Sequence, residues 1–362
     1  MDLTREVLSK FISVTNELIT DALRLYDPSS KSEIITTMEL GFPNDIIRLA
    51  GGFGIGLCVK WDSSISFIPV DTTVNVCTTS LFTLSGDIRE KITPILLKNI
   101  EDKILQSGFR PNFTRGNHFI IYAKSRFSNQ YYLILHSDTY NDGYESLSPE
   151  SGNWYYNDIK TLIKGNRYLR YITGDLAQEY YAKVKYHETK NAIKHSCVAN
   201  SIVENEATIK ASQILHHHTM PFSSSILIGC YLINANTTVP ILSSEGQPIY
   251  LYRFDKSLEE QNNIGGNYFI APHGWGKHFF EGNFSIDVNI PSNTLLLNDE
   301  VFTIQPKQTF ISSKNIKMRS FVDSDRNDTY IEYLHNFYTG TSIDMLDQLI
   351  SYNKSGFKRF QR

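Results

Sequence analysis

The sequence predicts an α+β fold, a single large domain in which mixed or antiparallel sheets are flanked by helices. Two observations carry this prediction. Short apolar runs of strand length recur through the 362 residues, and a few longer stretches place apolar side chains at helical spacing. These elements do not alternate strictly as strand, helix, strand, so a parallel doubly wound sheet is not indicated. A hydrophobic content of 41% with 12% aromatic residues can supply a substantial core.

Charge and cysteine content narrow the class of protein. The formal net charge of −3 argues against a globally basic nucleic-acid binder, although it allows local basic patches. The four cysteines show no CxxC spacing, which favours a reducing compartment, and we expect a cytoplasmic location. Asp2 and Glu6 interrupt the apolar stretch that a signal peptide needs. We expect no membrane span, because no run of about 18 apolar residues occurs.

The first hundred residues contain two predicted helices with short strands between them. Helical spacing predicts an amphipathic helix over about 3–26, which Asp27-Pro28 ends, and a second helix over 87–106. Glycines interrupt the region after residue 50, but no helix signal follows them directly, so they do not form a dinucleotide-binding fingerprint. Short apolar runs are interpreted as strands at 46–49, 55–59, 66–70 and 74–77.

The remainder of the chain is predicted to be strands around one helical segment. Helical spacing over about 155–215 predicts a helical insertion, which ends in three consecutive histidines. Strands are predicted over 224–305. A basic C-terminal segment, about 304–362, contains a last helix at about 342–352. Its basic stretch at 304–320 and the tail at 354–362 are a candidate RNA-contacting surface, and the alternative is an ordinary solvated face. We therefore treat residues 1–362 as one domain.

A predicted hairpin is the most distinctive stretch. His118 opens an apolar run at 119–123, and a second apolar run at 131–135 ends at His136. Two such runs around a short polar loop predict a β-hairpin, in which the start of the first strand faces the end of the second. His118 and His136 should therefore lie close together. Neutral imidazole is a common metal ligand, whereas the alternative is a pair of solvent-exposed residues at strand ends.

Further motifs line up with the hairpin. Cys77 ends a predicted strand, Gly116-Asn117-His118-Phe119 and Leu135-His136-Ser137 bracket the hairpin, His216-His217-His218 follows the helical region, and His273 lies in Ala271-Pro272-His273-Gly274-Trp275-Gly276-Lys277. In this order and spacing, the motifs resemble the RtcB family of tRNA-splicing RNA ligases. The resemblance spans roughly residues 46–277 and is most specific in the hairpin. It implies an RtcB-like fold, with the sheets around a central metal site.

The resemblance implies an enzyme that joins 3′-phosphate or 2′,3′-cyclic-phosphate RNA ends to 5′-hydroxyl ends, as in RNA repair and tRNA splicing. Such an enzyme uses GTP and one or two Mn²⁺. The residues it implies are Cys77, His118, His136 and His217 as metal ligands, His273 as the nucleophile that takes GMP, and Asn117, His273, Lys277 and Lys358 as contacts to the nucleotide. A thiolate–imidazole set is softer than manganese usually prefers, so geometry and availability would decide the metal.

Several positions depart from the family pattern. The carboxylate that the family places three residues before its cysteine is Val74 here, which weakens the case for a second metal. Asp138 follows the second histidine motif, where it adds negative charge or serves as a replacement ligand. The family's phosphate-binding loops, expected between about 230 and 255, have no counterpart. Lys277 replaces an arginine, so it keeps the charge and loses the bidentate geometry, and Trp275 adds bulk beside it.

These departures leave three functions open. The first is an active RNA ligase, the second is a catalytically silent metal protein that binds RNA ends or a protein, and the third is a metal-dependent hydrolase acting on RNA phosphate ends. His273 favours the ligase, because a binding protein needs no nucleophile, while the missing phosphate loops argue against GTP. We expect a monomer that acts on RNA with broken ends, has no membrane association and leaves room for an activating protein partner.

Overall fold

Strands dominate the computed structural model, which describes residues 3–139, 146–204, 206–259, 263–274, 277–279, 285–298, 300–306, 318–320 and 327–361. Over these residues the chain is mixed α+β, with few helices. The helices are α1 (Leu3–Arg24), α2 (Ile46–Ala50), α3 (Pro94–Gln106), α4 (Asp175–Val203) and α5 (Asn327–Leu334). Among the described helices, none combines the length and the apolar character that a membrane crossing requires.

Six sheets are formed by the strands within the described residues. They are β1 (Lys31–Gly41), β2 (Ile55–Asp62), β3 (Phe67–Pro69), β4 (Thr78–Leu84), β5 (Phe119–Ser125), β6 (Tyr131–Ser137), β7 (Lys160–Lys164), β8 (Arg167–Thr173), β9 (Ile209–His216), β10 (His218–Thr219), β11 (Ser225–Ile228), β12 (Cys230–Asn234), β13 (Thr237–Ile241), β14 (Ile249–Ser257), β15 (Asn263–Gly265), β16 (Tyr268–Pro272), β17 (Lys277–Phe279), β18 (Ile286–Asn289), β19 (Thr294–Leu297), β20 (Glu300–Thr303), β21 (Met318–Ser320), β22 (Tyr338–Asn353) and β23 (Gly356–Arg359).

An eight-stranded sheet positions the candidate site. Its strands follow the order β13-β14-β22-β5-β6-β4-β9, with β23 also paired to β22, and these pairings are antiparallel. The predicted hairpin is confirmed as β5 and β6, with Phe119 opposite His136. One face of the sheet packs against α3 and the C-terminal half of α4 through Ile120, Leu133 and Leu135. Side chains of alternating direction, such as Ile121 and Ile134, pack on the other face.

The predicted helix at 342–352 is wrong, because this segment lies within β22, which pairs with both β14 and β5. The apolar residues of the segment fall at helical spacing. However, the side chains of Asp344, Leu346 and Gln348 are buried at a spacing of two, as a strand requires. Two of these three residues are polar, so a hydrophobicity pattern cannot show that they are buried in the sheet.

The helical structure predicted over 155–215 is correct only in its centre. Helix α4 covers Asp175–Val203, whereas β7 and β8 precede it and β9 follows it. The missed signal is Gly165, which adopts a φ of 62° in the turn between β7 and β8. Such a left-handed conformation favours glycine and marks a hairpin. The short apolar runs before and after this turn therefore form a two-stranded unit rather than one helix.

Two predicted strands near the site also differ in the structure. Residues 46–49 lie in α2, where the Asp45 carboxylate caps the helix by accepting from the Ile47 N–H. Residues 74–77 have no regular secondary structure, so Cys77 precedes β4 instead of ending a strand. In the basic C-terminal segment, residues 307–317 and 321–326 lie outside the described residues.

Candidate metal centre

Four strand ends meet at one edge of the central sheet. Antiparallel neighbours bring the starts of β5 and β4 beside the ends of β6 and β9. Cys77 immediately precedes β4, His118 immediately precedes β5, His136 lies near the end of β6, and His217 follows β9. The connection before β4 is unusual, because the β-branched Val76 has a φ of 53°. Tertiary contacts must hold this residue in a conformation that costs free energy.

Three ligand atoms converge at this edge. Cys77 Sγ lies 3.1 Å from His136 Nε2, and His136 Nε2 lies 3.2 Å from His217 Nε2. The candidate ligand atoms of these three buried residues all lie within 4.8 Å of one another. Ligands about 2.0–2.3 Å from one metal ion lie roughly 3–3.7 Å apart, so the observed spacing fits a common centre. This cluster could hold a metal ion.

The surrounding bonds prepare these side chains for a cation. The Asn117 carbonyl accepts from His136 Nδ1 at 3.1 Å, which leaves the lone pair on Nε2. Burial lowers the pKa of His136 and His217 well below the usual range, and neighbouring imidazoles lower it further. Burial also raises the pKa of Cys77 well above its ordinary value, and the charge of Asp138 adds to this effect. The imidazoles are therefore neutral at pH 7, and the thiol must lose its proton to a bound metal.

His118 lies beside the cluster, although it does not belong to the compact triad. Its ring centre is 5.6 Å from that of His136. The Asn112 carbonyl accepts from Nδ1 at 2.9 Å, so Nε2 carries the lone pair and faces Asp138 Oδ2 at 3.6 Å. His118 Nε2 therefore faces the carboxylate that the sequence suggested as a replacement ligand.

The predicted nucleophile, His273, packs against one of the predicted metal ligands, His217. The ring of His273 lies 4.7 Å from that of His217, and both residues are buried. One carboxylate oxygen of Glu39 accepts from the backbone N–H groups of His273 and Gly274, at 3.0 and 2.9 Å. The same oxygen lies 3.6 Å from His273 Nδ1. The other carboxylate oxygen of Glu39 accepts from the Tyr330 hydroxyl at 2.7 Å.

Contacts with Leu242 fix the backbone of the turn that carries His273. The Leu242 N–H donates to the His273 carbonyl at 2.9 Å. Gly274 has a φ of 109°, and a Cβ at this position would lie only 2.0 Å from the Leu242 carbonyl oxygen. Only glycine therefore fits this position without a backbone shift. The geometry leaves Nε2 of His273 as the nitrogen directed away from Glu39.

A cavity of about 610 Å³ adjoins the cluster and is lined by Cys77, His118, His217 and His273. Asn117 lines it as predicted. Lys358 of β23 forms an ion pair with Glu245, another residue of the lining, so the structure places this lysine near the rim rather than at the metal cluster. Lys277 begins β17, but its side chain lies outside the described residues, as does Trp275.

The sequence patterns did not reveal the buried polar face of α4, which consists of Asn191, Lys194 and His195. These residues bond to the strands and connections that carry the candidate ligands. His195 bonds with the Ser80 and Ser137 hydroxyls at 2.7 and 2.6 Å. Lys194 Nζ donates to Asn112 Oδ1 and to the Asp138 carbonyl, and burial lowers the pKa of this lysine to about 8. Asn191, Lys194 and His195 recur at i, i+3 and i+4. The recurrence of polar residues at the spacing of one helix face is the only signal that the sequence carries, and it does not show that the face is buried.

The comparisons with known proteins found no relative, so the function must be inferred from the geometry of the site. A scan against protein-family models finds no match, and a search of curated proteins finds no similar sequence.

Proposed function

We propose that the protein is a metal- and GTP-dependent RNA ligase that joins 3′-phosphate or 2′,3′-cyclic-phosphate ends to 5′-hydroxyl ends. One observation carries the proposal. Cys77, His136, His217 and His273 are spread over almost 200 positions of the sequence, yet the three candidate ligands converge and the candidate nucleophile packs against one of them. A structural metal site needs no buried histidine at its side with an unbonded ring nitrogen facing a fixed carboxylate.

His273 begins the proposed reaction. Glu39 favours the tautomer that carries the ring proton on Nδ1, and Nε2 then attacks the α-phosphorus of GTP. The N–P bond forms while the P–O bond to pyrophosphate breaks, and pyrophosphate leaves. A bound divalent metal would offset the phosphate charge and orient the leaving group. We propose Mn²⁺ for this role because of the family resemblance, and Cys77, His136 and His217 would hold it.

The GMP is then transferred to the RNA end and released when the two ends join. An oxygen of the RNA 3′-phosphate attacks the phosphorus of the histidine adduct, the N–P bond breaks, and His273 is restored. The 5′-hydroxyl of the second RNA end attacks the activated 3′-phosphorus, GMP leaves, and the hydroxyl proton passes to solvent. A cyclic end first takes up water to become a 3′-phosphate. A cavity of about 610 Å³ has room for the reacting groups, since small-molecule sites commonly measure about 300–1,000 Å³.

The four cysteines are unpaired in the structure, which supports a reducing, cytoplasmic location for this activity. We expect the protein to act as a monomer on broken RNA ends.

Labelling with GTP tests the proposal. The protein is incubated with Mn²⁺ and GTP that is labelled at the α-phosphate, and the protein-bound label is measured before and after acid treatment. We expect an acid-labile adduct in the wild type and in His335→Ala, which changes an exposed histidine outside the cavity lining. His273→Ala should carry no label.

RNA substrates separate the competing functions. Sealing of a 3′-phosphate end to a 5′-hydroxyl end, lost in His273→Ala, supports the ligase. Absence of any protein label, with RNA binding retained, would refute it and indicate a binding protein. Release of inorganic phosphate from a 3′-phosphorylated RNA without sealing would indicate a hydrolase. Metal analysis of the purified protein, before and after Cys77→Ala, identifies the bound ion.

A further inference from the structure

One part of the cavity lining contains polar atoms that the protein itself does not satisfy. Asn44, Arg48, Thr73 and His218 all line the cavity. Asn44 Oδ1, Thr73 Oγ1 and both ring nitrogens of His218 are buried and make no hydrogen bond within the described chain. His218 as a whole residue is only 8% exposed. Buried polar groups are nearly always bonded, so such a cluster indicates a polar ligand.

Arg48 gives this cluster its charge. The residue is only 7% exposed, and it donates through Nε to the Thr72 carbonyl and through Nη2 to the Thr73 carbonyl, at 2.9 and 2.8 Å. These two bonds leave Nη1 without a protein partner among the described residues. They also aim the guanidinium, since both acceptors belong to the connection that leads to Cys77. Among the described carboxylates, none lies within salt-bridge distance of Arg48, although Asp45 attracts it from farther away.

A buried guanidinium without a paired anion is costly, because its loss of hydration is not offset. A phosphate group would offset it, since guanidinium and phosphate match in charge and in the geometry of their hydrogen bonds. A second metal ion would not, because Arg48 would repel it. Thr73 and one ring nitrogen of His218 can donate to the same anion. Asn44 Oδ1 is an acceptor, and it suits a hydroxyl next to the phosphate.

We propose that Arg48, His218, Thr73 and Asn44 form a subsite for the phosphorylated ribose of a nucleotide. The inference rests on the proposed function, because the subsite and the metal cluster share one cavity. The same chemistry is present in the phosphate groups of GTP and in the 3′-phosphate end of RNA, and the experiment below distinguishes the two sources.

Binding is measured in His273→Ala with Mn²⁺ bound, so that no covalent step interferes. The probes are a short oligoribonucleotide with either a 3′-phosphate or a 3′-hydroxyl, and GTP compared with guanosine. We expect at least one phosphorylated probe to bind more tightly than its unphosphorylated partner. Arg48→Met should reduce this preference about tenfold or more, as expected when a hydrogen bond to a charged group is lost. Arg253→Met, which removes a partly buried arginine outside the cavity lining, should leave the preference unchanged.

The pattern of loss identifies the source of the phosphate. A loss confined to the RNA pair assigns the subsite to the 3′-phosphate, and a loss confined to the GTP pair assigns it to the nucleotide. The inference is overturned if Arg48→Met binds Mn²⁺ like the parent and still keeps its full preference for both phosphorylated probes. It is also overturned if His273→Ala itself shows no preference for either.

A second variant covers the case in which Arg48→Met does not fold. Thr73→Gly removes the unbonded hydroxyl but keeps the carbonyl that Arg48 binds, and it relieves a φ of 45°. We expect this variant to fold and to lose phosphate preference about threefold to tenfold, and an unchanged preference would count against the subsite. The binding result is independent of guanylylation. Failure of the labelling assay would therefore overturn the ligase without abolishing a measured phosphate preference.

Discussion

Metal affinity should depend on pH through a single proton, that of Cys77. Burial holds the pKa of His136 and His217 well below the ordinary range and that of the Cys77 thiol well above it. Between pH 6 and 8, the free protein therefore presents neutral imidazoles and a protonated thiol. Binding of a divalent metal displaces one proton from sulfur and none from the rings. The affinity should rise about tenfold per pH unit, or about 1.4 kcal/mol, which is about 100-fold across this interval.

The assay is a titration of the chelator-treated protein with Mn²⁺ or Zn²⁺ at several pH values, with proton release measured by calorimetry in buffers of different ionisation enthalpy. Cys77→Ala should bind more weakly and lose the pH slope, since its remaining ligands are already neutral. Cys197→Ala is the matched control, because Cys197 is an exposed cysteine on α4 and its loss should change neither affinity nor slope. A flat wild-type profile, or a slope that survives Cys77→Ala, would refute the assignment of the thiolate as a ligand.

Three further predictions concern the groups around the cluster. Glu39→Ala should lower GTP labelling at least tenfold, because the backbone N–H groups of His273 and Gly274 lose their acceptor. Glu39→Gln should restore most of the labelling. Equal labelling in the two variants would contradict this positioning role. His195→Leu should weaken metal binding about 10- to 100-fold and lower the free energy of unfolding by about 1–3 kcal/mol. The reason is that the Ser80 hydroxyl loses its partner, while the Ser137 hydroxyl keeps only a long bond to Asn191 Oδ1, at 3.5 Å. Calorimetry and urea titration measure the two effects, with His335→Leu as the control. The metal-free protein should lose stability below about pH 6.5, because the unfolded chain then binds more protons than the folded chain with its buried histidines. The free energy of unfolding should fall by up to about 1.4 kcal/mol for each buried histidine and pH unit. Urea titrations at pH 7.5 and 5.5 with a chelator present measure this change, and greater stability at pH 5.5 would contradict the prediction.

Local patterns in the sequence were sufficient for an amphipathic helix and for two strands that are apolar along most of their length. The amphipathic spacing of α1 predicted that helix, and the two apolar runs around a polar loop predicted β5 and β6. The same reasoning failed for β22, because Asp344 and Gln348 are buried by partners distant in sequence. Burial of a polar residue depends on such partners, and a hydrophobicity pattern carries no information about them.

For the candidate site, the sequence by itself determined the residue types and the convergence that antiparallel pairing imposes. Motif order supplied Cys77, His217 and His273, and the hairpin placed His118 near His136. Only the tertiary structure decided that Cys77, His136 and His217 form the compact triad, while His118 faces Asp138. Ligand distances of a few ångströms depend on how four strand ends and their connections are fixed in space. Glu39 accepts from the backbone of His273, and Arg48 donates to the backbone carbonyls of Thr72 and Thr73. Contacts between residues that are distant in sequence leave no local motif.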